Sequence, residues 1–222
     1  MKKLAAILLM LPLFIYANDL NIFDEKIKLA NLLRNTIPNG FCALNPKNKA
    51  ERKAYTDFLT AAKSSNAKPM QILFKCDEIN NIVNGKSIGD NEFASILLYN
   101  RKNLLDQEQN KRLRQDILKK SKQAKPITTV DKLVHTQLQK NNKIYSPIVF
   151  NGYKSGEVLY TIASSSIKSN HLIVIDSAFI KNNMLLVARW SSIYNKKTNL
   201  TKLMNNLSAW TKSITSPDVN TN

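Results

Sequence analysis

Apolar positions recur along this 222-residue chain with two periods, and the change between them predicts its architecture. Ile27, Leu29, Ala30, Leu32 and Leu33 approximate a helical stripe over 24–34, with acidic residues in the first turn, where the helix dipole favours them. Ala50, Ala54, Phe58 and Ala61, widened by Leu59 and Ala62, predict a second helix ending in Ser64-Ser65-Asn66. Asn48 is its N-cap, and Glu51 three residues later completes a capping-box pattern. Gln71 to Cys76 and Phe93 to Tyr99 are short continuous apolar runs and read as buried strands. Between them, 77–85 reads as one helical turn and a loop ending at Gly85. Leu104 to Lys122 predicts a helix with Asp106 and Glu108 near its start and Lys119, Lys120 and Lys122 near its end, which suits the dipole. Pro126 stops it, and 130–138 adds one more short helix.

The last third changes period. Segments 146–151, 157–165, 171–180 and 184–194 alternate or run apolar at strand length, and Asn151-Gly152 and Asn182-Asn183 suit tight hairpins between them. The chain then closes on a stripe of Leu200, Leu203, Met204, Leu207, Trp210 and Ile214, a helix capped by Thr198 or Asn199 and ended by Pro217. Strand–helix alternation followed by a meander predicts an α+β fold: a mainly antiparallel sheet with helices packed on it, forming a sandwich. Residues 18–216 are expected to be one domain, with a disordered polar tail over 217–222.

The N-terminus is expected to lie outside that fold. Lys2-Lys3 is a short positive region, Leu4 to Tyr16 is apolar, and Ala17 supplies a small residue at the expected cleavage position. This is the pattern of a secretory signal peptide over 1–17, and the apolar run is too short for an ordinary spanning helix. About 205 residues remain, enough to bury a core. Export makes the two cysteines informative: in an oxidising compartment an even count favours a Cys42–Cys76 disulfide over a metal site or a reactive thiol.

Charge changes the picture further. Removing Lys2 and Lys3 from the formal +17 leaves +15 on the mature chain. Such a chain can meet anionic lipid, lipopolysaccharide phosphates or an acidic envelope protein. The excess is nearly all lysine, and with abundant Asn and Ile it also fits the codon bias of an AT-rich genome. Arginine, the residue of bidentate phosphate contacts, is scarce, which disfavours nucleic acid as a partner. The densest basic cluster is Lys111, Arg112, Arg114, Lys119, Lys120 and Lys122. It is the candidate anion-binding face, weighed against an ordinary solvated helix surface.

Pro38-Asn-Gly-Phe-Cys-Ala-Leu44, followed by an aliphatic strand ending in Cys76, resembles a group of exported bacterial proteins. These have a Pro-x-Gly-aromatic-Cys-x-Leu start and a second cysteine after a hydrophobic strand. The resemblance covers about 45 residues. It implies an acidic residue just before the second cysteine, where this chain has Lys75, with Asp77 following. The order of elements is also similar to the Mog1/PsbP-like sandwich, an analogy of fold that carries no function.

Catalytic motifs are sparse. Asp131 and His135 share a helical face at i, i+4 spacing, but two ligands make no metal site. His171 reads as a strand-edge residue. Ser165-Ser-Ile-Lys168 and Ser65-Asn-Ala-Lys68 match S-x-x-K without the helix start that the motif requires, and Lys197-Thr-Asn199 lacks the glycine of K-T-G. No G-x-S-x-G, H-E-x-x-H, P-loop or G-x-G-x-x-G occurs. No cofactor is expected. These patterns support a non-enzymatic envelope module that binds a protein partner or an anionic surface, in the periplasm or outside the cell. The alternative is a periplasmic hydrolase using Asp77, Glu78 or His135. The N-terminal residue of the exported protein, read by mass spectrometry, is expected to be Asn18; a chain retaining Met1 would instead identify an uncleaved anchor.

Overall fold

The computed structural model describes residues 24–63, 67–84, 92–99, 104–141, 143–153, 157–167, 170–195 and 197–216. The expected signal peptide, the polar tail, Gly85, Pro217 and the Ser64–Asn66 helix end lie outside these residues. The chain divides into two compact units, Met1–Asn35 and Thr36–Asn222. In the first unit, helix α1 spans 24–35. Its acidic start is tied by Glu25 to Lys28 at 3.1 Å, its Leu29 and Leu33 are buried, and Ile27 is exposed.

The second unit is an α+β sandwich. Seven strands form one antiparallel sheet in the order β1-β2-β3-β7-β6-β5-β4. They are β1 (Phe41–Ala43), β2 (Ala67–Lys75), β3 (Phe93–Tyr99), β4 (Ile148–Phe150), β5 (Leu159–Ile167), β6 (Asn170–Lys181) and β7 (Met184–Ile193). The helices are α2 (Lys49–Lys63), α3 (Cys76–Val83), α4 (Gln107–Ser121), α5 (Ile127–Asn141) and α6 (Leu200–Thr215).

Period-2 alternation decides which helix lies on which face. Ser177 of β6 meets Thr211 of α6 at 2.6 Å, and register aligns Ile175 with Trp190 and Trp190 with Ala94. These positions therefore share the α6 face. The intervening positions carry Ile180, Leu159 and Leu185, which pack under Leu113 and Ile117 of α4. They also carry Phe93, which packs with Phe74, Ile72 and Leu44 under Ala54, Tyr55 and Phe58 of α2. Helices α2 and α4 thus cover one face, and α6, with α5 against it, covers the other.

The whole expected α6 stripe is buried, with Trp210 meeting Trp190 edge-on at 6.1 Å. Thr211, polar but one turn after Leu207 and so on the same stripe, is also buried; its hydroxyl donates back to the Leu207 carbonyl at 2.8 Å. Nearby, burial raises the Tyr160 phenol above its ordinary value. On the opposite face Arg189 and Asp176 are register partners joined by two bonds of 2.8 and 2.9 Å. Burial works against the Arg189 charge, and the Asp176 carboxylate outweighs it, so the guanidinium is held above its ordinary value.

The Pro-x-Gly-aromatic-Cys motif has a local cause. Pro38 to Phe41 is a turn closed by Phe41 N–H to Pro38 O at 3.1 Å, and Gly40 sits at φ +80°, a conformation that type II turns reserve for glycine. The Gly40 carbonyl then accepts the Cys76 N–H at 3.0 Å, and Cys42 is disulfide-bonded to Cys76 with Cα atoms 4.9 Å apart.

Several boundaries differ from the sequence reading. β2 begins at Ala67 rather than Gln71, because a register shift between Pro69 and Gln71 accommodates the proline. α3 is eight residues rather than one turn. α5 starts directly after Pro126, whose carbonyl accepts the Thr129 and Val130 N–H groups at 3.0 Å, so this proline both separates two helices and starts the second. Glu51 bonds the Asn45 N–H at 2.6 Å rather than that of Asn48, while Asn48 does cap α2 through the Ala50 N–H. Asn182 and Asn183 have φ of 50° and 55°, as a two-residue type I′ hairpin needs. Asn151-Gly152 is not a tight hairpin, because pairing resumes only at Tyr160. Gly152 serves close approach instead: a Cβ there would lie 2.4 Å from the Tyr160 ring.

The bridge closes a 34-residue separation, which corresponds to roughly 4 kcal/mol of stabilisation in the chain-entropy model. Replacing both cysteines by alanine should lower urea-unfolding stability by about that amount; an unchanged midpoint would contradict it. Trp210→Ala should cost about 3–5 kcal/mol by the same measurement, and wild-type melting would show that the α6 stripe carries no core.

Candidate functional site

The sheet end beside the Pro38–Phe41 turn is concave. A cleft of about 610 Å³ lies between that turn, the end of β2 at Lys75, Glu92 ahead of β3, the end of β7 and the first turns of α6. Its wall is fixed by an aromatic and ionic stack. Phe41 meets Trp190 with ring centroids 4.9 Å apart. The Trp190 indole N–H donates to Glu92 Oε1 at 2.7 Å, and Lys75 Nζ lies 2.9 Å from Oε2. Each oxygen of Glu92 therefore has a partner.

The opposite wall is cationic. The turn before α6 is braced by Asn195 N–H to Thr198 Oγ1 and by Lys197 N–H to Asn195 Oδ1, both 2.8 Å. Asn199 caps α6 by accepting the Lys202 N–H at 2.8 Å. This presents Lys197 and Lys202 at the cleft. Among the described residues neither ammonium has a carboxylate partner. Lys202 stands in the first turn of α6, which holds no acid, against the preference of the helix dipole.

The expected anion-binding residues lie elsewhere, on α4. Asp106 caps this helix with a full capping box through Gln109. Leu113 and Ile117 turn inward. Lys111, Lys119, Lys120 and Lys122 are exposed, and none has a carboxylate partner among the described residues. Arg112 is also exposed but pairs with Glu108 one turn back. Arg114 is directed elsewhere: it is half-buried, 2.6 Å from Asn110 Oδ1 and 2.6 Å from Glu157. Leu118 is 46 % exposed, and at 100° per residue it falls within about 40° of Lys111 and Lys122.

The residues of the hydrolase alternative do not converge. Asp77 and Glu78 open α3, which packs against α2, β1 and β2, whereas His135 lies on α5, which packs against α6 and β4. β1 and β4 are opposite edges of the sheet. His135 Nδ1 is 2.7 Å from the Tyr194 hydroxyl, and its Nε2 is 3.7 Å from Asp131. Burial, with the Asp131 charge adding, raises the Tyr194 phenol above its ordinary value. The three side chains tie α5 to the end of β7. Ser165 lies inside β5 rather than at a helix start. Among the described residues no group of three or more His, Cys, Asp or Glu is placed to hold a metal.

The sequence reading did not single out the cleft, although it met Lys75 beside Cys76 and Lys197-Thr-Asn199 as a failed motif. The available signal was local: an Asn-rich turn followed by a helix whose first turn carries a lysine and no acid. No family model, curated protein or solved structure matches the chain.

The Cys42–Cys76 bridge fits a non-cytoplasmic location. Among the described residues no helix is long and apolar enough to cross a membrane.

Proposed function

We propose that this chain is an exported, non-enzymatic envelope module that docks on an anionic surface through α4, and that it belongs with the exported bacterial proteins its Pro-x-Gly-aromatic-Cys motif resembles. On this reading residues 1–17 are a cleaved signal peptide and the mature protein works in the periplasm or outside the cell. The carrying observation is the division of α4. Leu113 and Ile117 anchor it to the sheet, while Lys111, Lys119 and Lys122 project outward with the exposed Leu118 among them. Cations that flank an exposed leucine suit a lipid–water boundary, where charge attracts the headgroups and the apolar side chain enters below them. This favours anionic lipid or the lipid portion of lipopolysaccharide over an acidic protein. The opposite placement of Asp77/Glu78 and His135 weighs against the hydrolase.

Binding to vesicles containing anionic lipid should be measurable at low salt and should weaken steeply as the screening length falls to about 8 Å at physiological salt. Reversing Lys111, Lys119 and Lys122 to Glu should abolish it with little change in stability, because exposed charges contribute little to folding. Binding that survives the reversal, or that ignores salt, would refute the reading.

A further inference from the structure

The cleft lies on the α6 side of the sheet and α4 covers the other, so the two basic regions cannot serve one flat surface. We propose that the cleft is a separate binding site for a hydroxylated organic anion of monosaccharide size, a sugar carboxylate or sugar phosphate. Its volume of about 610 Å³ falls in the range that encloses small ligands.

Charge selects an anion. Glu92 faces the cleft already engaged by Lys75 and Trp190, so it presents little free negative charge. Lys197 and Lys202 line the same space with no carboxylate partner among the described residues. The amides refine the choice. Asn195 and Asn199 each spend their oxygen on a backbone N–H, which leaves the NH₂ groups as the available ends of these side chains. Asn39 and Asn206 also line the cleft and bring both donors and acceptors. Donors beside two ammonium groups suit a carboxylate or phosphate, and mixed amide ends suit hydroxyls. Phe41 adds an apolar wall, held in place by Trp190, against which the C–H face of a sugar ring can rest. An acyl chain finds no comparable continuous lining, so this ligand differs from the surface that α4 would meet.

The test is calorimetric titration of the mature protein with glucuronate, glucose 6-phosphate, glucose and inorganic phosphate. At least one sugar anion should bind about tenfold or more tightly than glucose and inorganic phosphate alike. Lys197→Gln/Lys202→Gln should weaken it by about tenfold or more with the melting temperature unchanged, and the α4 reversal should leave it intact. A trigalacturonate arm separates sources: tighter binding than galacturonate points to a polysaccharide chain, and equal binding to a free sugar acid. The proposal is overturned if no sugar anion binds, if glucose or inorganic phosphate binds as well, or if binding survives the double substitution. Vesicle binding by α4 is scored independently, so failure of either proposal leaves the other standing.

Discussion

The cleft depends on how one short edge of the sheet is held. β1 is three residues long and pairs with β2 only at Phe41, Cys42 and Ala43. A strand this short contributes few ladder bonds, and an edge position offers no second neighbour. Two constraints compensate. Gly40, at φ +80°, turns its carbonyl to the Cys76 N–H, and the disulfide joins the strand to the residue where β2 becomes α3. Phe41 is thereby fixed against Trp190, Trp190 against Glu92 and Trp210, and Glu92 against Lys75. The cleft wall is the far end of this chain of contacts, so its shape rests on the bridge as much as on the residues that line it.

Electrostatics follow a simple allocation. The acidic residues number sixteen against thirty-three basic, and seven of those described are committed. Glu51, Asp77 and Asp106 bond backbone N–H groups near helix starts. Glu92, Glu108, Glu157 and Asp176 meet lysine or arginine. Among the described residues exposed lysines are spread widely, and two groups of them without carboxylate partners are the outward side of α4 and the outer wall of the cleft. On α4 the charges are spread along an exposed helix and are open to screening by salt. At the cleft they face a concave wall that screens them less, which is why a small discrete ligand suits one and an extended surface the other.

How legible each part was depends on how local its cause is. Phe93–Tyr99 and the α6 stripe were readable because a continuous apolar run and a 3.6-residue period are set within the segment itself. The disulfide was readable because an expected export and an even cysteine count leave few alternatives. Asn182-Asn183 was readable because two adjacent asparagines tolerate the left-handed backbone of a type I′ turn. Asn151-Gly152 misled because its glycine answers to the Tyr160 ring, a partner eight residues away across a loop. Thr211 was missed because the stripe was read from apolar side chains alone, and the partner that satisfies its hydroxyl, Ser177, lies thirty-four residues earlier. The cleft was hidden for the same reason: Asn39, Lys75, Glu92 and Lys202 lie far apart in sequence and meet only because β1, β2, β3 and β7 end at one side of the sheet.

The central claim is that the Cys42–Cys76 bridge holds β1 and the cleft wall while the β5–β6–β7 meander stands on its own packing. Hydrogen exchange of the intact protein, with and without a thiol reductant, tests it most directly. The account predicts that reduction strips protection from Phe41–Leu44 and from the Cys76–Val83 helix while Ile173, Ile175 and Leu186 stay protected. Uniform loss of protection across the sheet, or none anywhere, would contradict it.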